Sequence, residues 1–222
     1  MDINVNQDTV IVFDLDDTLY NEVDFLKSAY QEIAKKIDPN NPVLYGRMFS
    51  MYRRGENVFN FLTSLYNVPI ANLIEWYRQH VPNITLFDGV KDVLHAIKKH
   101  EGKIAIITDG RSSTQRNKIS QLGVDDFIDL IIISEEIKSE KPNEHNYRLV
   151  EEHFKATDYT YIADNLKKDF ITPNKRNWNS IALVDNGKNI HINKDEYFLK
   201  EDLAPKQFIH SFFDINIIAN MK

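Results

Sequence analysis

The stretch Val10-Ile11-Val12-Phe13-Asp14-Leu15-Asp16-Asp17-Thr18 passes from four consecutive apolar residues straight into a loop holding three acids and a hydroxyl. An apolar run without alternation reads as a strand buried on both faces, the kind found in parallel sheets. Four more runs share that character: Ile104-Ala105-Ile106-Ile107, Leu130-Ile131-Ile132-Ile133, Tyr159-Thr160-Tyr161-Ile162-Ala163 and Ile181-Ala182-Leu183-Val184. Helical spacing lies between them, in Val90, Val93, Leu94 and Ile97, in Gln115 to Leu122, and in Tyr147, Val150 and Phe154. Strands alternating with helices imply an α/β fold on a parallel sheet with right-handed crossovers.

The first crossover is too long. About 90 residues separate the first two runs, where a dozen or so suffice for a βαβ connection. Residues 21–85 carry helical stripes of their own: Leu26, Ala29, Tyr30, Ile33 and Ile37; Leu44, Met48 and Tyr52; Phe59, Leu62 and Tyr66; Ile70, Leu73, Ile74 and Tyr77. Pro39, Pro42, Pro69 and Pro82 stand at their boundaries, where helices break. A small helical domain is therefore expected inside a core made of residues 1–20 and 86–222. After Asp185 the chain is polar and then apolar without a clear period, and Phe208, Ile209, Phe212 and Phe213 are candidates for a last helix or strand.

Composition narrows the chemistry. The 222 residues include no cysteine and seven glycines, no two closer than eight positions. That excludes thiolate zinc sites, a cysteine nucleophile and disulfides, together with every phosphate-binding loop built on paired glycines. With 33 acidic against 27 basic residues and a formal charge of −6, the chain repels a phosphate backbone, so a nucleic-acid partner is not expected. No window approaches the roughly 18 apolar residues of a membrane helix. Met1 to Asp8 shows neither the basic nor the apolar part of a signal peptide, and a cytoplasmic location is expected.

Ligands of open parallel sheets gather at the carboxyl ends of the strands. There the sequence places Asp14-Leu15-Asp16-Asp17-Thr18, Thr108-Asp109-Gly110, Lys141-Pro142, and Asp164 followed five residues on by Asp169. Singly, each has a structural reading: an Asx turn, a helix cap, a solvated lysine. Together, four acids on one edge repel one another unless a cation sits among them, and hard oxygen donors favour Mg²⁺. A calcium-binding loop starting at Asp14 fails, because Leu19 stands where that loop needs glycine and Phe25 where it needs the bidentate glutamate.

The four pieces, in this order and each after a predicted strand or in the matching interval, resemble the haloacid dehalogenase-like (HAD) hydrolase superfamily, whose pattern is hhhDxDxT, a Ser/Thr, a Lys and a final pair of acids. The resemblance covers residues 8 to 20 and 86 to 185. It implies a Rossmann-like three-layer sandwich with residues 21–85 as an all-α cap. It makes Asp14 the nucleophile, Asp16 the general acid and base, and Thr108 and Lys141 the groups on the transferring phosphoryl. The backbone amides of Asp109 and Gly110 are the further phosphoryl donors it implies. Mg²⁺ would be held by the Asp14 carboxylate, the Asp16 carbonyl and Asp164, with Asp169 as ligand or support. Arg53 and Arg54 are cap candidates for substrate contact. The presence of Asp16 favours a phosphatase of a small phosphorylated metabolite, a nucleoside monophosphate or sugar phosphate, over a dehalogenase. Phosphosugar mutase-type transfer and a catalytically silent binding protein are the alternatives. The sequence departs from the family at Ala163 and Asn177, where glycine is usual, and at Thr172-Pro173.

Overall fold

The computed structural model describes residues 1–220. In chain order its elements are β1 (Asp2–Val5), β2 (Thr9–Phe13), α1 (Glu22–Ile37), α2 (Leu44–Arg53), α3 (Val58–Tyr66), α4 (Ile70–Gln79), α5 (Val90–Lys99), β3 (Lys103–Thr108), α6 (Ser112–Leu122), β4 (Leu130–Ile133), α7 (Ser134–Ile137), α8 (Glu144–Phe154), β5 (Asp158–Ala163), α9 (Ile171–Lys175), β6 (Asn179–Leu183), α10 (Asp195–Phe198), β7 (Gln207–Ile209) and β8 (Asn216–Ala219). They form two compact units, Met1–Glu22 with Thr85–Lys222, and Val23–Ile84. No helix among the described residues is long and apolar enough to cross a membrane.

The larger unit is Rossmann-like. Its main sheet has strand order β4-β3-β2-β5-β6-β7, every pairing parallel. The chain leaves β2 toward β3 and β4, then crosses back to β5 on the other side, so the order reverses at β2. That is the switch point where open α/β sheets bind ligands. Register aligns the strand ends there: Phe13 pairs with Ile106 of β3 and with Ile162 of β5, and the Asp14 amide donates to the Ile162 carbonyl at 2.9 Å. Asp14 and Asp164, each following its strand directly, therefore emerge side by side.

Helices cover both faces, making three layers. Val10, Val12, Ala105, Ile107, Tyr161 and Ala163 pack with Tyr147 and Val150 of α8 and with Trp178. The intervening residues Ile11, Phe13, Ile104 and Ile106 are equally buried, as pleated strands require. On α5, the sequence-predicted stripe Val90, Val93, Leu94 and Ile97 is buried. At Gly102 an added Cβ would lie 2.5 Å from Val5 and 2.8 Å from Ile97, so the turn into β3 admits no side chain.

Two strands escape the sequence reading: β1 and β8 pair with each other in a separate two-stranded sheet, whereas β7, which holds the tail candidates Phe208 and Ile209, extends the main one. Of the four apolar tail residues, Ile209 and Phe212 are buried, whereas Phe208 and Phe213 remain largely exposed.

The smaller unit comprises α1 through α4, with Phe25, Ala29, Tyr30, Ile33, Leu44, Met48, Leu62 and Leu73 buried. Tyr30 meets Tyr52, Phe59 and Tyr77 at ring separations of 6.4, 6.5 and 6.4 Å, which accounts for those aromatics as core. Asn57 caps α3 by accepting the Asn60 amide at 2.9 Å, and Asn67 ends it in the left-handed conformation.

Candidate active site

At the end of β2 the Asp14 carboxylate meets Lys141, whose Nζ lies 2.7 Å from Asp14 Oδ1 and 2.8 Å from Asp169 Oδ1. The Lys141 side chain is fully buried and also donates to Tyr161 Oη at 3.2 Å. Asp14, Asp164 and Asp169 offer oxygens that all lie within 4.8 Å of one another. One lysine does not neutralise three buried acids. Burial pushes the Asp14 carboxyl up to about 7 against the pull of Lys141. Burial, then Asp14 and Asp169, hold Asp164 well above the carboxylate range. The Lys141 ammonium is raised despite its burial, because Asp14 and Asp169 outweigh that cost.

This donor set fits a hard divalent cation such as Mg²⁺: all ligand atoms are carboxylate oxygens, charge is in excess, and ligands are close enough to share an ion. One of these oxygens is also unspent. Asp169 Oδ2 accepts the Asn165 amide at 3.1 Å, but the approach of Lys141 to Oδ1 is an ion pair without hydrogen-bond alignment, so Oδ1 has no hydrogen-bond partner. Asp164 is positioned by Thr18, whose hydroxyl donates to Oδ1 at 3.4 Å, and by Asn189, whose Nδ2 donates to Oδ2 at 2.9 Å. Thr18 thus ties the β2 loop to the end of β5.

Asp16, two residues from Asp14, faces other company. Its carboxylate stands outside the three-acid cluster and is gripped by Lys118 Nζ at 2.7 Å, by Gln115 Nε2 at 2.8 Å and by the Tyr20 hydroxyl. Burial alone would raise its pKa, but Lys118 with the Tyr20 and Gln115 bonds outweighs it, and the Asp16 carboxyl lies below its ordinary value. Gln115 also donates to Thr108 Oγ1 at 2.6 Å, which leaves the Thr108 proton free for another acceptor. Gln115 and Lys118 were missed in the sequence. They occupy the first two positions of the stripe Gln115, Lys118, Ile119, Leu122, all buried on α6. Polar residues on the inward stripe of a helix were the available signal.

The residues after β3 are engaged within the protein. The Gly110 amide donates to Ser134 Oγ at 2.9 Å rather than standing open for a phosphoryl oxygen. Gly110 is needed for another reason: its φ is +140°, and a Cβ there would crowd the Gln115 side chain at 3.1 Å. The Asp109 carboxylate is spent on structure, accepting the Lys141 amide at 3.0 Å and pairing with Lys168 at 2.6 Å. In the helical unit Arg53 is exposed, and the Arg54 guanidinium is engaged by Glu56 and Ser50.

The departures from the family pattern have physical resolutions. Ala163 keeps a negative φ, so its Cβ is not strained, and Asn177 takes φ +59°, a conformation that asparagine tolerates best after glycine. Pro173 lies in the first turn of α9, where its missing N–H costs no hydrogen bond, and the Thr172 hydroxyl donates to the Pro142 carbonyl.

Asp14, Asp16, Thr108 and Lys168 line a cleft of about 150 Å³ together with Glu22 and His191. A sequence profile of haloacid dehalogenase-like hydrolases matches residues 11–183. A glyceraldehyde 3-phosphate phosphatase of Methanocaldococcus jannaschii is 28% identical over 204 residues, covering 84% of this chain and 89% of that protein. The pyrimidine 5′-nucleotidase YjjG of Escherichia coli is 40% identical over 78 residues, 35% of this chain and 34% of its own. Among solved structures, the HAD-hydrolase YfnB of Bacillus subtilis, determined with bound magnesium, superposes with a TM-score of 0.66 at 18% identity, over 96% of this chain and 97% of that one.

Proposed function

The chain belongs to the haloacid dehalogenase-like hydrolases and is a hydrolase of phosphoric monoesters, and from that premise we propose a Mg²⁺-dependent phosphatase of a small phosphorylated metabolite, a sugar phosphate or nucleoside monophosphate, that works through an aspartyl-phosphate. The observation that carries the reading is the split between two acids two residues apart: Asp14 among Asp164, Asp169 and Lys141, Asp16 in the grip of Lys118.

Asp14 Oδ would attack phosphorus as the bond to the leaving oxygen breaks, with Lys141 holding the nucleophile ionised and in line. Asp14, Asp164, Asp169 and the Asp16 carbonyl would hold Mg²⁺, which supplies the positive charge that offsets repulsion between nucleophile and phosphoryl oxygens. Thr108 would donate its free proton to one of those oxygens. Asp16 would protonate the leaving oxygen and then take a proton from the water that attacks the aspartyl-phosphate, releasing phosphate and regenerating Asp14. The Lys118 grip favours the second half of that cycle, in which Asp16 starts as a carboxylate. In the first half Asp16 must carry its proton against the charge of Lys118. Residues 21–85 would act as the cap that selects the leaving group, with Arg53 and Arg54 as its candidates for substrate contact.

Phosphate release from a panel of sugar phosphates and nucleoside monophosphates, with and without Mg²⁺, tests the reading. Wild type turns over with Mg²⁺ and Asp14→Asn does not. Equal inactivity of both on every compound would leave the silent binding protein as the better account, and exchange of phosphate between sugar positions without release would favour the mutase.

A further inference from the structure

Gln115 is buried in the first turn of α6, and neither hydrogen of its side-chain amide is spare. Its Nε2 donates to Asp16 Oδ2 at 2.8 Å and to Thr108 Oγ1 at 2.6 Å. One nitrogen therefore joins the loop after β2 to the end of β3. The bridge spans the two groups assigned to proton transfer and to the phosphoryl oxygens, and the mechanism gives Gln115 itself no task.

Charge decides which end of the amide faces Asp16. A carboxylate only accepts, so the nitrogen and not the oxygen lies against it. The second hydrogen of that nitrogen then points at Thr108 Oγ1, and Thr108 cannot give its own proton to Gln115. Among the described residues the Thr108 hydroxyl donates to no other group. Thr108 lines the cleft, and an acceptor for its proton has to come from there. Room for the bridge is built into the backbone: Gly110 holds φ +140°, and a Cβ at that position would stand 3.1 Å from Gln115 Cδ and 3.3 Å from its Cγ and Oε1.

The same bridge distinguishes the two oxygens of Asp16. Oδ1 receives both Lys118 Nζ, at 2.7 Å, and the Tyr20 hydroxyl, and a carboxylate oxygen has about two such places. Oδ2 receives Gln115 alone. The open place on the Asp16 carboxyl, where a proton can be taken up and passed on, is therefore on the oxygen that Gln115 holds.

Resting on the phosphatase reading above, we propose that Gln115 is a positioning residue for both halves of the site: it aims the Thr108 proton at the transferring phosphoryl group and fixes Asp16 Oδ2 as the oxygen that exchanges a proton. In the first step the bond from phosphorus to the leaving oxygen breaks as that oxygen takes the Oδ2 proton. In the second, Oδ2 takes a proton from water as the water oxygen bonds to phosphorus and the bond from phosphorus to Asp14 breaks.

The two duties separate by leaving group. A p-nitrophenolate departs without a proton, whereas the alkoxide of a sugar or alditol phosphate needs one. Gln115→Met removes both N–H groups at similar volume. Its kcat/KM for p-nitrophenyl phosphate should fall about tenfold, from the lost aim of Thr108 alone. For glycerol 3-phosphate, or whichever alkyl phosphate of the panel wild type hydrolyses best, the fall should be about a hundredfold or more. Both esters are read on one preparation, so the folded fraction cancels from the ratio. In a Thr108→Val background, Gln115→Met should cost p-nitrophenyl phosphate no more than about twofold, because no proton is left to aim. An equal loss on the two esters, or a loss that Thr108→Val does not diminish, overturns the assignment, since a residue that merely fills space lowers both alike. Should Gln115→Met not fold, Gln115→Glu, of the same size and without the N–H pair, is read in its place with the same split expected. If wild type hydrolyses the esters in an Asp14-dependent manner and no split appears, the phosphatase reading stands and this inference alone fails. If wild type hydrolyses neither ester, both fail.

Discussion

Two aspartates on one loop, Asp14 and Asp16, are both withdrawn from water and yet are driven in opposite directions. Asp14 shares its surroundings with Asp164 and Asp169 and is pushed up to about 7, burial being the largest cause. Asp16 turns to Lys118, Gln115 and Tyr20 and is lowered despite its burial. Residue type does not assign the roles; the neighbours do, and acids with divided acidities are how one site provides a metal-seeking nucleophile and a proton-transfer group together. Two acids two residues apart at a strand end diverge because the sheet pairs β2 with β5 on one side, bringing Asp164, and with β3 on the other, bringing α6 behind it.

The comparison breaks first at Asp14. Asp14→Asn removes the attacking oxygen and a metal ligand together, and phosphate release should fall by roughly 10⁴-fold or more. Next comes Lys118→Met, which fills the same buried space without charge. Turnover should fall roughly 10²-fold, the usual worth of a positioned acid–base group. Because Lys118 lowers the Asp16 value in the wild type, its loss raises that value, so the acid limb of the pH–rate profile should move to higher pH. An unmoved acid limb would show that Lys118 merely fills space. A smaller effect is expected from Asn189→Ala, which takes the hydrogen bond from Asp164 but leaves the carboxylates; the Mg²⁺ concentration for half-maximal activity should rise about tenfold.

The smallest effect is on stability, read by thermal melting. Asp14, Asp17 and Glu22 are raised from 3.8, 3.8 and 4.5 to about 7, 6 and 8, and Asp164 is raised well above 3.8. Between about pH 4 and pH 8 the folded chain therefore holds more protons than the unfolded one, and metal-free stability should decline as pH rises through that window. Bound Mg²⁺ competes with those protons. At a hundredfold excess over its Kd it should raise Tm by about 5–10 °C at pH 8 and by far less at pH 5. Stabilisation that is equal at the two pH values would mean the ion binds elsewhere.

Much of this was legible before any coordinates. The five continuous apolar runs became the central strands because burial on both faces leaves a composition signal that needs no partner to interpret. Asp14, Thr108, Lys141, Asp164 and Asp169 could be picked out because they follow those strands or stand at family spacing. β1 and β8 could not: four residues each, they pair across more than two hundred positions of chain, and nothing local in Asp2–Val5 announces that distant partner. Lys118 reads as a surface charge until α6 is laid against the Asp16 loop. His191 lies in a segment without period, placed by the bonds of Asn189, Ile190 and Asn193 around it. Gly110 reads in the sequence as a point of close approach; that its amide meets Ser134 and its Cα side the Gln115 side chain shows only when β4 and α6 are brought together.

The division between the two aspartates is most directly tested by following the carboxyl carbon shifts of the metal-free protein by NMR as pH is changed, with assignments confirmed by Asp14→Asn and Asp16→Asn. The account predicts that Asp14 titrates near 7 and drops on addition of Mg²⁺, while Asp16 stays ionised to below the ordinary carboxylate value. Common titration of both in the ordinary range, or Asp16 titrating above Asp14, would contradict it.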